Sequence, residues 1–496
     1  MNIDSLYNKE IMKPISKILL LLSLSLPLFA QQLTLQDAIN VALVKNEKIK
    51  QYQERLAQKE FDDKSAIGNF LPKINLTGGY THMNDDLSLD LSPVGDAIIT
   101  MQASTQTQLA NINNVLQTGV QLTEQEQAAL NAQYSTYLSS LFPDLDLTFK
   151  EQNFKTATLQ AVQPLFVGGK LFAAKTYSKA EVGAAASELT KTTNEVITEV
   201  VNNYLNVLLL EELVQTRTDV LNGMNRHSTR AKRLQEEGVI ASYQALRAQV
   251  AVAEAEVNLT DDQSKLKLAR IALNNSLGLE ESTDIQLLDT LISTEYEVNL
   301  DTLLASAYEN QPVLQMLDQK EIAAKQKFNI ARSSFLPHVA AFGKYEMYPE
   351  YLSALEPRWA VGVQMQFNIF NGLKDYMDLQ SAKHLQNEVE YIKADTRKKI
   401  SLWVNKDYND VIDAQERYNK LDAALELAKE SLRLNERRFD TGIGTSLEVI
   451  DAQLSLENIE IKRLVSLKDY YQALSDLYLA AGEPLEILKV WNKTEL

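Results

Sequence analysis

Two acidic residues, Glu448 and Asp451, follow a glycine-rich turn in the sequence Thr-Gly-Ile-Gly-Thr at 441–445. Residues three positions apart on a helix share one face, so these two carboxylates project together. Carboxylates attract cations, and crowded carboxylates repel one another. The pair is therefore a candidate cation-attracting site. An ordinary solvated acidic helix face would carry the same two residues.

No other group of side chains predicts chemistry. The segment FVGGK at 166–170 lacks the spacing of a phosphate-binding loop. The chain has no cysteine, which excludes disulfides, thiolate metal sites and a lipidated N-terminal cysteine. The sequence therefore predicts no catalytic residue, no metal site, no cofactor and no enzyme activity. The four histidines are scattered, without partners at metal-ligand spacing: His82, His227, His338 and His384.

The charge balance narrows the class of partner. The 496 residues carry a formal net charge of −17, and 45% of them are hydrophobic. Phosphate binding needs a basic patch, so nucleic acid is not an expected partner. An acidic surface or a cation-attracting cavity fits this composition. The length allows one to four domains.

The N-terminal 30 residues have the features of a secretory signal peptide. From Met12 there are two lysines, an apolar run over 18–29, and a small residue at Ala30. Cleavage is expected after Ala30, and the start codon is either Met1 or Met12. An anchor helix is the alternative, although the run is short for a membrane span. No later stretch has about 18 continuous apolar residues, so a membrane crossing would require β-strands closed into a barrel.

The remainder of the chain contains two copies of one repeat unit. Residues 35–80 match 300–345 at an offset of 265, including FLPKINLTGGY and FLPHVAAFGKY. QPLFVGGK at 163–170 matches FNIFNGLK at an offset of 204, which holds through the glycine tips at Gly238 and Gly442. Each half reads as helix, strand, connection, strand, long helix, glycine tip and helix.

These matches predict the domain boundaries. The N-terminal extension and signal peptide occupy 1–30, and a C-terminal tail occupies 485–496. The first repeat, 31–299, has strands at about 73–83 and 156–166, an insertion at 84–153, a long hairpin at 172–277 and a connecting segment at 278–299. The second repeat, 300–484, has strands at about 338–348 and 358–368 and a long hairpin at 373–481.

The long helices and the strands have different periodicities. Val200, Val207 and Val214 recur at heptad spacing in a proline-free stretch of about 65 residues, which indicates coiled-coil packing. Helices of this length far exceed those of an ordinary soluble bundle, which is the alternative interpretation. The stretch 359–367 alternates apolar and polar residues, as in a barrel strand. Four strands cannot close a barrel, so several chains must contribute, although a half-buried soluble sheet would alternate similarly.

This pattern resembles the TolC-type channels of the outer membrane efflux protein family. The resemblance rests on LTLQDAINVALVKNE, FLPKI, FLPHV, QPLFVGGK and the two glycine tips, and covers about residues 33–484 without the insertion. It implies a mainly α fold with a small β part. A trimer would combine four strands per chain into one transmembrane β-barrel, and its helices would form a coiled-coil tunnel across the periplasm.

The resemblance also implies a function and a location. The expected function is a passive exit channel across the periplasm and the outer membrane. The expected partners are a periplasmic adaptor, an inner-membrane efflux pump or ABC exporter, and outer-membrane lipid. The insertion would lie outside the cell, as a helical cap, a plug, a surface epitope or a partly disordered loop. The alternative is a periplasmic adaptor or structural protein with long hairpins and no barrel. The transported substrate is not readable from the sequence.

Family members carry functional residues at the tips. Glu448 and Asp451 match the carboxylates of the periplasmic gate, whereas the first repeat has Gln244 and Arg247 there. Three residues depart from the family's closing network: Gly444 replaces an arginine, Gln244 an acid, and Phe439 a tyrosine. The closed state must therefore be held differently, or less tightly. The residues expected to contact the adaptor are Gly238, Val239, Ile240, Gly442, Ile443 and Gly444.

Overall fold

The computed structural model describes residues 31–142, 146–293, 298–353 and 356–492. The predicted signal peptide, part of the connecting segment and the end of the tail lie outside the described residues. The chain divides into two compact units, with boundaries at 61/62, 178/179, 324/325 and 384/385. We call them the helical unit, which contains the glycine tips, and the sheet unit, which contains the predicted strands.

The secondary structure is mainly helical. The helices are α1 Leu35–Lys45, α2 Glu47–Ile67, α3 Ser92–Thr118, α4 Glu124–Leu141, α5 Lys170–Glu236, α6 Ser242–Leu277, α7 Leu300–Asn310, α8 Pro312–Ser333, α9 Lys374–Asp440, α10 Ser446–Ala481 and α11 Ile487–Trp491. The strands are β1 Gln31–Leu33, β2 Lys73–His82, β3 Leu87–Asp90, β4 Asp146–Lys150, β5 Asn153–Val167, β6 Ile285–Leu287, β7 His338–Glu346 and β8 Trp359–Gln366. Among the described residues, none of the helices combines the length and the apolar character needed to cross a bilayer.

The two long helices α5 and α9 have 67 residues each, about 100 Å at the rise of an α-helix. In α9 the buried residues Val404, Val411, Tyr418 and Leu425 recur every seven positions. This is the spacing of coiled-coil contacts. The mainly helical architecture with a small β part and two repeats is confirmed.

Asp289 links three segments beside the main core of the helical unit. Its carboxylate accepts hydrogen bonds from the Tyr204 hydroxyl at 2.8 Å, the Trp491 indole at 3.0 Å and the Leu35 amide at 2.8 Å. Strands β1 and β6 pair in parallel beside it. A carboxylate that accepts three bonds ties together the start of the first repeat, the connecting segment and the C-terminal helix.

The sheet unit contains an antiparallel sheet with the order β2-β5-β7-β8. The β2–β5 ladder extends to the pair His82–Asn153, so β5 begins before the predicted position 156. In the described residues, β2 and β8 each lack a partner on their outer side. One face of β8 is strongly exposed and apolar, at Trp359, Val361, Val363 and Met365.

The insertion between β2 and β5 is folded. Strands β3 and β4 form an antiparallel ribbon, and α3 packs against α4 as a helical hairpin. Gly119 ends α3 with φ +74, and a capping box between Thr123 and Glu126 begins α4. The described part of the insertion is therefore a helical hairpin on a short ribbon.

Candidate functional site

The two glycine tips reverse the long helices with the same backbone geometry. Gly238 and Gly442 both have φ +76, in the left-handed region that favours glycine. The Val239 amide donates to the Leu234 carbonyl at 2.8 Å, and the Ile443 amide donates to Arg438 at 3.0 Å. Both tips are Schellman motifs, which satisfy the last carbonyls of a helix.

Gly444 distinguishes the second tip from the first. It is buried, and its amide lies 2.9 Å from the Arg438 carbonyl. An added Cβ would lie 2.9 Å from the Phe439 backbone nitrogen, which is too close. At the equivalent position Ile240 carries a side chain, and its amide is 3.4 Å from the Leu234 carbonyl. Glycine at 444 therefore allows a tighter turn.

Glu448 has a structural role in the second tip. Its carboxylate accepts a hydrogen bond from the Thr445 amide at 2.8 Å, and the Thr445 hydroxyl accepts one from the Glu448 amide. This capping box begins α10, whereas Ala241 at the start of α6 provides no side-chain cap. The bond from the Thr445 backbone, followed by the nearby Arg438, lowers the pKa of Glu448. The glutamate is therefore ionised at neutral pH.

Asp451 is exposed and lies three residues beyond Glu448 on α10. The Arg438 guanidinium is 3.5 Å from the Glu448 carboxylate. This arginine partly offsets the negative charge beside Asp451. Glu448, Asp451 and Arg438 thus place two carboxylates and a guanidinium beside one another at the start of α10.

The two hairpins are joined at Ser446. Its amide donates to the Gln244 side-chain oxygen at 3.1 Å, and its hydroxyl shares a hydrogen bond with His227 Nε2 at 2.7 Å. The His227 ring also lies against Phe439, with ring centroids 4.7 Å apart. His227 and Gln244 belong to the first hairpin, and Ser446 and Phe439 to the second. Phe439 is buried and fills the contact between the hairpins.

An ion pair between Arg230 and Asp440 adds a second connection between the hairpins. It lies beside a cavity of about 580 Å³ between α5 and α9. The charged side chains that line this cavity are Arg226, Arg230, Arg233, Glu436 and Asp440. The tip contacts that join the hairpins comprise His227–Ser446, Gln244–Ser446 and Arg230–Asp440, and we call these contacts the tip latch.

Farther along the hairpins, Arg217 bridges two buried carboxylates. Its guanidinium donates to Asp262 of α6 at 2.8 Å and to Glu457 of α10. Lys265 is also 2.7 Å from Asp262. Burial would raise the pKa of Asp262, but its hydrogen bonds to Arg217 and Lys265 outweigh this and lower it. Arg217 therefore ties α5 to a helix of each hairpin.

The sequence-predicted tip residues meet in one region. A Cβ added at Gly442 would lie 3.4 Å from Val239, so the two turns are adjacent. Val239 and Ile443 are exposed, whereas Gly444 is buried. Sequence reasoning did not find the tip latch or Arg217, because partners such as 227 and 446 do not occupy equivalent repeat positions.

Within the described part of the chain, there is no group of three or more histidine, cysteine or acidic residues that could hold a metal ion. His227 is one of the four histidines that the sequence analysis found scattered. In the structure its partners are a serine and a phenylalanine ring, so its role is in packing between helices.

Comparison with known proteins gives consistent results. Outer membrane protein TolC of Vibrio cholerae is 24% identical over 194 residues, which is 38% of this chain and 44% of that protein. The alignment thus spans less than half of this curated relative. The crystal structure of outer membrane protein VceC from Vibrio cholerae is 18% identical, with a TM-score of 0.69, over 90% of this chain and 96% of VceC.

The Campylobacter jejuni CmeC outer membrane channel is 14% identical, with a TM-score of 0.70, over 93% of this chain and 88% of CmeC. At these identities the solved structures show a shared fold. The family model described as outer membrane efflux protein matches residues 112–279 and 303–483, together more than half of the chain. The resemblance found in the sequence is thus confirmed, and the chain belongs to the outer membrane efflux protein family.

Proposed function

We propose that the protein is a trimeric outer-membrane channel that gives passive exit to substrates across the periplasm and the outer membrane. The observation that carries this proposal is the sheet β2-β5-β7-β8, which has two open edges and an exposed apolar face on β8. An open apolar edge is an aggregation hazard unless another strand covers it. Three chains would pair β2 of one with β8 of the next and close a barrel of about 12 strands.

The substrates would be delivered by an inner-membrane pump or ABC exporter through a periplasmic adaptor. Val239 and Ile443 support this part of the proposal, because both are exposed at the turns, at 53% and 76%. Adjacent apolar side chains at a helix end fit a helical partner. Gly238, Ile240 and Gly442 shape this surface, and the buried Gly444 sets the backbone beneath it.

The two carboxylates of Glu448 and Asp451 would form the periplasmic gate. Three chains would bring six of them around one axis, where they select for cations. The tip latch would hold this gate at rest, in place of the family's arginine, acid and tyrosine. No residue of the channel acts on the substrate chemically in this proposal. The signal peptide would direct export and be cleaved after Ala30, without lipidation.

The proposal is tested by fractionation and by electrophoresis. We expect the protein in the outer-membrane fraction, as a species that migrates as a trimer and converts to the monomer on heating. The purified trimer should also form pores in planar bilayers. A monomer recovered from the soluble periplasmic fraction would overturn the proposal and favour a hairpin adaptor.

The tip latch should weaken in acid because of His227. Burial lowers the pKa of His227 to about 4, with Asp440 opposing this and Arg230 adding to it. Since the free side chain titrates near 6.5, the neutral form is favoured in the latch. The latch is fully stable above pH 6.5, and loses up to about 3 kcal/mol as the pH falls to 4. We expect bilayer conductance to rise over this range.

The control for this prediction is His227→Gln, which keeps a hydrogen-bonding side chain without a titrating group. Conductance of this variant should change much less between pH 6.5 and 4. If the variant and the original protein respond to acid equally, the acidic groups of the gate and not His227 account for the response.

A further inference from the structure

Helix α3 of the insertion has large apolar side chains on its exposed face. Its buried residues are the small Gly95, Ala103 and Thr107, and the last two lie on the side opposite these large residues. Although α3 and α4 pack together, α4 has no fully buried residue, so the hairpin buries little apolar volume of its own. The large side chains that it leaves exposed, between 39% and 79%, are Val94, Ile98, Met101, Leu109, Ile112 and Leu116.

These residues follow an 11-residue period. Val94 and Leu116 are two periods apart with Thr105 between them, and Ile98 and Leu109, like Met101 and Ile112, are one period apart. Eleven residues make about three helical turns, so the positions form a nearly straight stripe about 33 Å long. We call these seven positions the α3 stripe. Such a stripe is typical of a helix that packs on another helix over its whole length.

The single polar member of the α3 stripe is compatible with burial. The Thr105 hydroxyl donates to the Met101 carbonyl of its own helix at 2.8 Å. Burying this side chain would therefore leave no unpaired donor. A polar residue in an apolar helix seam can also fix the register of the partners.

Charge identifies the kind of partner. There is no lysine or arginine between Lys73 and Lys150, and the α3 stripe itself has no charged residue. The segment therefore offers no positive charge that would attract an anionic surface, such as a charged lipid headgroup layer. The fitting partner is an uncharged apolar helix with the same period, and α3 of another copy has these properties.

The position of the insertion in the sequence would bring the α3 helices of the three copies together. This step rests on the proposed function. The insertion directly follows β2, the open sheet edge at which the trimer would add its neighbour. The Met83 amide donates to the Gln152 carbonyl at 2.8 Å, so the two ends of the insertion are hydrogen-bonded to each other next to the β2–β5 ladder. Three insertions would arise from one closed sheet. We propose that the α3 helices of three copies pack against one another along the α3 stripe.

Single cysteines can test this contact, since the chain contains none of its own. Ile112→Cys and Ile98→Cys lie on the α3 stripe, in two separate turns. Gln106→Cys is the matched control, because it is exposed on the same helix about 120° away from Ile112. Each variant trimer is treated with a mild oxidant or with a three-armed maleimide reagent.

We expect both stripe variants to give covalent dimers with oxidant and covalent trimers with the maleimide, at yields at least about tenfold above Gln106→Cys. Equal yields for the three variants, or no cross-linking in trimers that still form, would overturn the contact alone. Cross-linking only to other proteins would overturn it too. If the unmodified protein forms no trimer, both the contact and the proposed function fail.

Discussion

Arg217→Ala is expected to lower the free energy of unfolding by about 3–5 kcal/mol. The substitution removes the cation that Glu457 shares with Asp262 and leaves Asp262 only Lys265, whose own side chain is 61% exposed. The two carboxylates have only 4% and 6% of their side chains exposed, so they bear most of the cost of desolvation and also repel each other. The unfolding midpoint of the detergent-solubilised protein, followed by helical circular dichroism, should fall by several degrees at pH 7.

The pH dependence of this effect has a definite sign. Because Arg217 holds the pKa of Asp262 below its ordinary value, the contact stabilises the fold above about pH 4 and is lost as the pH falls through the folded pKa. In Arg217→Ala, burial instead favours the protonated carboxyl groups. The stability difference between the variant and the original protein should therefore begin to narrow above pH 4, as the variant's carboxyl groups take up protons, and should narrow further below about pH 4.

A triple variant separates charge from packing. Arg217→Met with Asp262→Leu and Glu457→Leu replaces the buried ions by apolar side chains of similar size. Buried ion networks often tolerate such replacement with little loss, so most of the stability should return. If the triple variant is as unstable as Arg217→Ala, the contribution of these residues is their shape and not their charge.

The sequence predicted those features of the fold that depend on local pattern. The heptad spacing at Val200 and Val207 identified a buried helix face, and the constant offset of 204 placed both glycine tips. Gly238 and Gly442 could be interpreted as turns because only glycine readily adopts their φ of +76°. Apart from the repeat itself, these signals lie within a few residues of the structure that they determine.

Features that depend on contacts between distant segments were not predictable. Ser446 meets His227 and Gln244 across 219 and 202 positions, and neither pair is related by the repeat. Asp289 lies in a segment interpreted only as a connection, yet it accepts three hydrogen bonds in the main core. One sequence without its contacts does not show which polar residues will be buried together.

The insertion shows the same limit. Its sequence left a helical cap, a plug, a surface epitope and a partly disordered loop open. The helical hairpin buries small residues such as Ala103, which leave little hydrophobic signal on the packed face. The stronger apolar pattern belongs to the exposed α3 stripe. An apolar pattern on a helix can therefore lie on a face that this chain leaves exposed.

Neutralising the carboxylates of the proposed gate should have the second large effect, on the ion selectivity of the channel. Glu448→Gln with Asp451→Asn should reduce the cation selectivity of single channels several-fold, or raise their conductance, because it removes six charges from the proposed ring. Glutamine at position 448 can still form the capping box with Thr445, so the helix start should persist. The measurement is the reversal potential in a salt gradient across a planar bilayer.

Comparison with the alanine variants distinguishes charge from capping. Glu448→Ala with Asp451→Ala removes the same charges but also the cap, which is worth about 0.5–2 kcal/mol. We expect equal selectivity in both double variants, but a less stable second tip in the alanine form, with faster trypsin cleavage at Arg437 and Arg438. If Glu448→Gln with Asp451→Asn leaves selectivity and conductance unchanged, the acidic pair serves only to cap α10 and to give it a polar surface. A change in the alanine form alone would mean that the gate depends on the tip's fold and not on its charge.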